Sequence, residues 1–186
     1  MGDAPPQLGL EAARRDATAF RVKAVTWNAR SLLLACPRLR AKTLEFVAKL
    51  LRKFDAVFLQ EVKGDIHVLR RHIRQLAPGT RVLGTSLGEA VGGIAVLMKE
   101  QWLQKARVDW RALVPGRVGQ VTVHRPAGRL KFIVVHNAEL DDAAAQRATR
   151  AAHEALDLVA GAPFEERVVL LGDFNLHVDS SRRCGW

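Results

Sequence analysis

Four apolar runs in this 186-residue chain end the same way, and that repeated ending constrains the fold more than any other feature. Phe20 to Trp27 gives way to Asn28, Ala56 to Leu59 gives way to Gln60-Glu61, and Lys131 to Val135 gives way to His136-Asn137. The last run, Val168 to Leu171, ends in Gly172-Asp173-Phe174-Asn175. Short branched runs bounded by polar residues read as buried strands covered on both faces. Asp173 and Asn175, two positions apart, project from the same strand edge. Taken alone a strand ending in Gly-Asp is an ordinary turn; four such endings gathered at one rim make a site.

The intervening segments supply the other layers. A helix is predicted from Pro37 or Arg38 through Lys53, with Leu39, Leu44, Val47, Leu50 and Leu51 as its apolar stripe. Asp65 caps a second helix, whose apolar face is Ile66, Leu69, Ile73 and Leu76 and whose stop is Pro78-Gly79. Strand-like segments follow at Thr80 to Thr85, Gly92 to Met98, Val108 to Val114, Val118 to His124 and Leu130 to His136, with Pro126-Ala127-Gly128 closing a hairpin. An Ala-rich helix is expected from Asp141 or Asp142 to about Val159, stopped by Gly161 and Pro163. Helices alternating with buried strands make the fold α/β and layered. Residues 1–19 read as a disordered lead-in, and 20–186 as one domain, since the chain is too short for two well-cored ones.

Charge narrows the partners. Twenty-nine Lys and Arg against nineteen Asp and Glu leave a net charge of +10 and a pI near 10.6. An acidic polymer is the natural counterpart, with nucleic acid ahead of a membrane because no basic amphipathic helix with an aromatic face stands out. Two cysteines, Cys36 and Cys184, give no disulfide framework and fit a reducing compartment. No apolar run reaches the ~18 residues of a membrane span, and no signal peptide is recognisable, so an intracellular location, nuclear or cytoplasmic, is expected.

The rim would gather two carboxylates (Glu61 and Asp173), two carboxamides (Asn28 and Asn175) and one imidazole (His136). Oxygen donors without a Cys/His cluster favour Mg²⁺ or Mn²⁺ over zinc. A hard cation, carboxylates and amide donors around an anion are the parts that phosphoester hydrolysis needs. Each residue also has an ordinary reading: Asn28 as a loop cap, Glu61 as a solvated strand end, His136 as a core histidine.

Thr26-Trp27-Asn28-Ala29-Arg30-Ser31-Leu32, Leu59-Gln60-Glu61-Val62-Lys63 and Leu171-Gly172-Asp173-Phe174-Asn175, in that order, resemble the endonuclease/exonuclease/phosphatase (DNase I-like) superfamily. The Asn-Ala-Arg-Ser-Leu wording is most similar to endonuclease domains of non-LTR retrotransposons. The resemblance implies a DNase I-like layered β-sandwich flanked by helices, and a metal-dependent phosphodiester hydrolase acting on nucleic acid. It implies that Glu61 is the principal metal ligand, that Asn28 joins it in the metal site and orients metal-bound water or phosphate, that Asp173 aligns or deprotonates the attacking water, and that Asn175 binds the scissile phosphate. Arg30 and Asn137 join the substrate-binding set. His136 resembles the His that DNase I-like members use near the leaving oxygen, with Asn137 as the competing occupant.

Members of that family also carry a further segment ending in an Asp-His pair. Only eleven residues follow Asn175 here, and they hold no such pair. The chain is therefore expected to be a partial domain lacking the C-terminal strands, with an uncovered sheet edge and weak activity at best. A phosphatase of the same superfamily and a non-catalytic nucleic-acid-binding remnant are the alternatives.

Overall fold

The computed structural model describes residues 21–33, 36–85, 92–126, 128–136 and 165–174, together with residues 143, 146, 147, 150 and 154. In chain order the elements are β1 (Ala24–Asn28), α1 (Pro37–Lys53), β2 (Ala56–Gln60), α2 (Ile66–Leu76), β3 (Thr80–Thr85), β4 (Ile94–Lys99), α3 (Glu100–Leu103), β5 (Arg107–Val114), β6 (Val118–Arg125), β7 (Gly128–His136) and β8 (Glu165–Asp173). The strands form two four-stranded sheets, ordered β1-β2-β4-β3 and β5-β6-β7-β8. β1 runs parallel to β2, and β7 parallel to β8; every other pairing is antiparallel. The expected α/β layering is what the chain adopts.

Strand alternation decides which sheet face each residue serves. Phe58, Val96 and Met98 of the first sheet meet Val121, Val123, Phe132 and Val134 of the second in one buried cluster, with the Phe58 and Phe132 rings 5.0 Å apart. Removing each of those two side chains from water contributes about 1.5–3 kcal/mol. The other face of the first sheet, through Val57, Leu59 and Leu97, packs on α1 and α2. Helix, sheet and sheet therefore stack in three layers.

α1 buries Leu44, Val47, Ala48 and Leu51, an i, i+3, i+4, i+7 stripe. Leu39, expected on that stripe, is 55% exposed because it lies five positions before Leu44 and points off the face. Asp65 caps α2 as expected, its side chain accepting the His67 N–H at 2.8 Å. Leu69 and Ile73 of α2 are buried, whereas Leu76 at its end is 43% exposed. The four-residue α3 was not expected; its Glu100 is held by the Arg81 guanidinium through two hydrogen bonds.

The expectation of strands buried on both faces is corrected at β1 and at β8: in β1, which ends the order of its sheet, Ala24 and Thr26 are exposed and no residue is fully buried. Val168 to Leu171 are not uniformly buried: Val169 is 37% and Leu170 51% exposed. The reason is position, since β8 ends the order of its sheet and only β7 pairs with it among the described residues. Of the expected Ala-rich helix, only Ala143, Gln146, Arg147, Arg150 and Glu154 are described, each helical. Its remainder and the lead-in lie outside the described residues.

Candidate functional site

Both parallel strand pairs end at the same rim of the sandwich. Asn28 closes β1, and Glu61 follows β2 directly. Across the sandwich His136 ends β7 and is in register with Asp173, the last residue of β8. Asp173 reaches that position because Gly172 has φ +145, and a Cβ there would overlap the Val135 carbonyl oxygen.

Asn28 joins the two halves. Its Nδ2 donates to Glu61 Oε1 at 2.9 Å and to Asp173 Oδ2 at 2.8 Å, so both amide hydrogens engage carboxylates. Its Oδ1 accepts the Arg30 backbone N–H at 2.9 Å, which fixes the orientation of the amide. One neutral side chain thus holds two carboxylates together. Such a pair is a strong electrostatic demand for a cation.

His136, 1% exposed, completes the group from the second sheet. Arg117 Nη1 lies 3.3 Å from His136 Nδ1, and an arginine can only donate, so Nδ1 accepts. In the neutral ring the proton then sits on Nε2, which faces Glu61 Oε1 at 3.5 Å and makes no hydrogen bond. Burial of the ring, followed by the Arg117 cation, pushes the His136 pKa below the ordinary histidine value; Glu61 and Asp173 pull the other way.

A belt of backbone hydrogen bonds fixes this rim. Ala29 N–H donates to Gln60 O at 2.8 Å, Ser31 N–H to Glu61 O at 2.7 Å, and Val62 N–H to Gly93 O at 3.2 Å. Gly93 N–H donates to Gly116 O at 3.0 Å, and His136 N–H to Arg117 O at 2.8 Å. The belt crosses from the first sheet to the second. It forces Arg30, Ser31, Glu61 and Lys63 into left-handed backbone at φ 44, 63, 53 and 39, a conformation that costs non-glycine residues energy and clusters at functional sites.

The structure therefore brings together Asn28, Glu61, His136 and Asp173, with Arg30 beside them as a backbone donor. Asn175 and Asn137 lie outside the described residues. Gln60, adjacent to Glu61 in its motif, is buried and donates to Thr26 Oγ1 at 2.9 Å, a structural role. Arg117 is the residue that sequence reasoning passed over. Its signal was the Pro115-Gly116 turn, in which Arg117 N–H returns to Val114 O at 3.0 Å and sets a buried arginine at the start of an apolar strand.

Ligand atoms of Glu61, His136 and Asp173 lie within 4.8 Å of one another. The carboxylates fit one hard divalent cation. With the proton of neutral His136 on Nε2, the imidazole faces that position as a donor, not as a ligand.

A family model described as "Endonuclease/Exonuclease/phosphatase family" matches residues 25–186. This chain belongs to that family. No curated protein matches it significantly in sequence. Among solved structures it is similar to an AP endonuclease from Leishmania major, with 18% identity, TM-score 0.60, and coverage of 83% of this chain and 55% of that one. It is also similar to TDP2 from C. elegans, with 19% identity, TM-score 0.58, and coverage of 91% and 54%. A mannosyl-6-phosphatase from Bacteroides thetaiotaomicron aligns with 15% identity, TM-score 0.53, and coverage of 84% and 66%. These likenesses show a shared fold, and the chain spans little more than half the length of the first two.

Proposed function

We propose that this chain is, or forms part of, a divalent-metal-dependent phosphodiester hydrolase with nucleic acid as its substrate. The observation that carries the reading is the Asn28 amide bridging Glu61 and Asp173 beside a buried imidazole whose Nε2 is unpartnered. Glu61 and Asp173 would hold Mg²⁺ or Mn²⁺, which supplies Lewis-acid polarisation of a phosphoryl oxygen and neutralises developing charge. Asn28 keeps the carboxylates at the separation the cation needs and prevents their mutual repulsion from opening the site. Asp173 aligns the attacking water. His136 directs Nε2–H at charge developing on the leaving oxygen, the arrangement that preorganised donors use to lower a barrier. Asn175, Arg30 and Asn137 would contact the phosphate backbone. The +10 net charge favours a polyanion over a small phosphate ester.

The test is nicking of supercoiled plasmid with Mg²⁺ and with EDTA, alongside hydrolysis of p-nitrophenyl phosphate. Nicking that needs the metal and disappears in Glu61→Gln supports the reading. Hydrolysis of the small ester alone would move the substrate to phosphomonoesters. Salt-sensitive, metal-independent DNA binding that survives Asp173→Asn, with no nicking, would replace the enzyme with a binding module.

A further inference from the structure

We infer that Arg117 is a positioning residue, one that clamps His136 so that its protonated nitrogen faces the Glu61 and Asp173 carboxylates. The inference rests on the reading of His136 as the donor at the reacting phosphate. Two contacts from one residue carry it. The Arg117 carbonyl accepts the His136 backbone N–H at 2.8 Å, and the Arg117 guanidinium donates to His136 Nδ1 at 3.3 Å. The main chain and the ring of His136 are thus held from the same position.

The clamp is anchored independently of the histidine. Arg117 closes the turn begun at Val114, whose Gly116 carbonyl accepts the Gly93 N–H at 3.0 Å; the Gly92-Gly93 carbonyls in turn accept N–H groups from Lys63 and Val62 beside Glu61. Arg117 is only 8% exposed and His136 only 1%, so both side chains are packed away from water. With Nδ1 occupied by a donor, the ring cannot present Nδ1 to the phosphate or flip without giving up that hydrogen bond inside a buried site, which is costly. The carboxylate side of the ring is fixed as Nε2–H. Misplacing a donor by about an ångström costs up to ~10²-fold in rate, which is the scale of effect a released ring would show.

The experiment is long-range ¹H–¹⁵N correlation of the histidine rings in the full chain, without metal or substrate, with His136 assigned by difference against His136→Gln. In the wild type, His136 Nδ1 is expected at the shift of an unprotonated acceptor and Nε2 at that of a protonated nitrogen. In Arg117→Met both are expected to move toward averaged values, and in Arg117→Lys, which keeps a donor, they should stay nearer the wild type. A protonated Nδ1 in the wild type overturns the inference without recourse to any variant, and so does an unchanged spectrum in folded Arg117→Met. Because the reading needs no turnover, failure of the hydrolase assignment and failure of the clamp are separate results. Where the chain nicks plasmid, Arg117→Met should lower kcat with KM nearly unchanged; a rise in KM alone would mark Arg117 as a phosphate contact.

Discussion

Asn28→Asp is the most direct probe of the carboxylate bridge. The substitution keeps the shape of the side chain and replaces a two-hydrogen donor by an anion, so contacts of 2.9 and 2.8 Å become carboxylate against carboxylate. Two unit charges 4 Å apart repel by about 4 kcal/mol at an effective dielectric of 20, and here there are two such pairs. A proton would intervene before the full repulsion developed. Protonating a carboxylate of pKa near 4 at pH 7 costs about 4 kcal/mol, and that smaller figure caps the penalty. Solvent reaches the site, the Glu61 side chain being 26% exposed, so the net loss in EDTA should be about 2–4 kcal/mol. For a chain of this size that is a fall in Tm of about 5–15 °C. The variant's group is raised in pKa in the folded state, so its stability should recover as pH falls from 7 to 5. Mg²⁺ should also recover it, by more than it stabilises the wild type, because three anions then surround the cation. Thermal melts in EDTA and in Mg²⁺, with Asn28→Ala as the charge-free control, measure all of this. A variant that melts with the wild type in EDTA, or gains no more from Mg²⁺, refutes the bridge.

Two further outcomes follow from the same geometry. Gly172→Ala should cost at least about 3 kcal/mol and strip hydrogen-exchange protection from the end of the β7–β8 pairing, since φ +145 and the Val135 carbonyl both reject a Cβ. For His136, the folded pKa lies below the unfolded reference of 6.5, so the unfolded chain takes up the proton first and stability falls as pH drops below about 6.5. Denaturant titrations in EDTA between pH 7.5 and 5 should show that slope, and His136→Gln should remove most of it.

The local signals in the sequence were sufficient for the elements and insufficient for their neighbours. The Pro37 start of α1, the Asp65 cap and the antiparallel pairing of β6 with β7 are decided by residues near the feature, and they stand where expected. The four polar strand ends were legible because each terminates its own apolar run. Exposure of Leu170 was not, since whether a branched run is central or at an edge depends on strand order, which periodicity does not encode. Lys131 and Glu166 show the same limit. They form a buried ion pair between β7 and β8, yet each reads in isolation as an ordinary surface charge. Arg117 was missed for a related reason: the histidine its guanidinium touches lies nineteen residues away.

The site's composition follows from which strand pairs are parallel. A parallel pair needs a crossover, and both of its strands then end at the same rim. In this fold the crossover through α1 brings Asn28 beside Gln60-Glu61, and the parallel pairing of β8 with β7 brings Asp173 beside His136. The antiparallel strands meet that rim at turns, and turns contribute differently: Gly92-Gly93 and Gly116-Arg117 supply backbone hydrogen bonds and one clamp. Carboxylates and imidazole thus come from the parallel ends, and rigidity comes from the hairpins. The contact that unites them, Asn28 with Asp173, spans 145 residues and links the two sheets, so it can form only when the Phe58 to Phe132 layer between them has packed. Loss of core packing should therefore disperse the carboxylate pair before it dismantles either sheet, and binding of a divalent cation should report on how tightly the two sheets are joined.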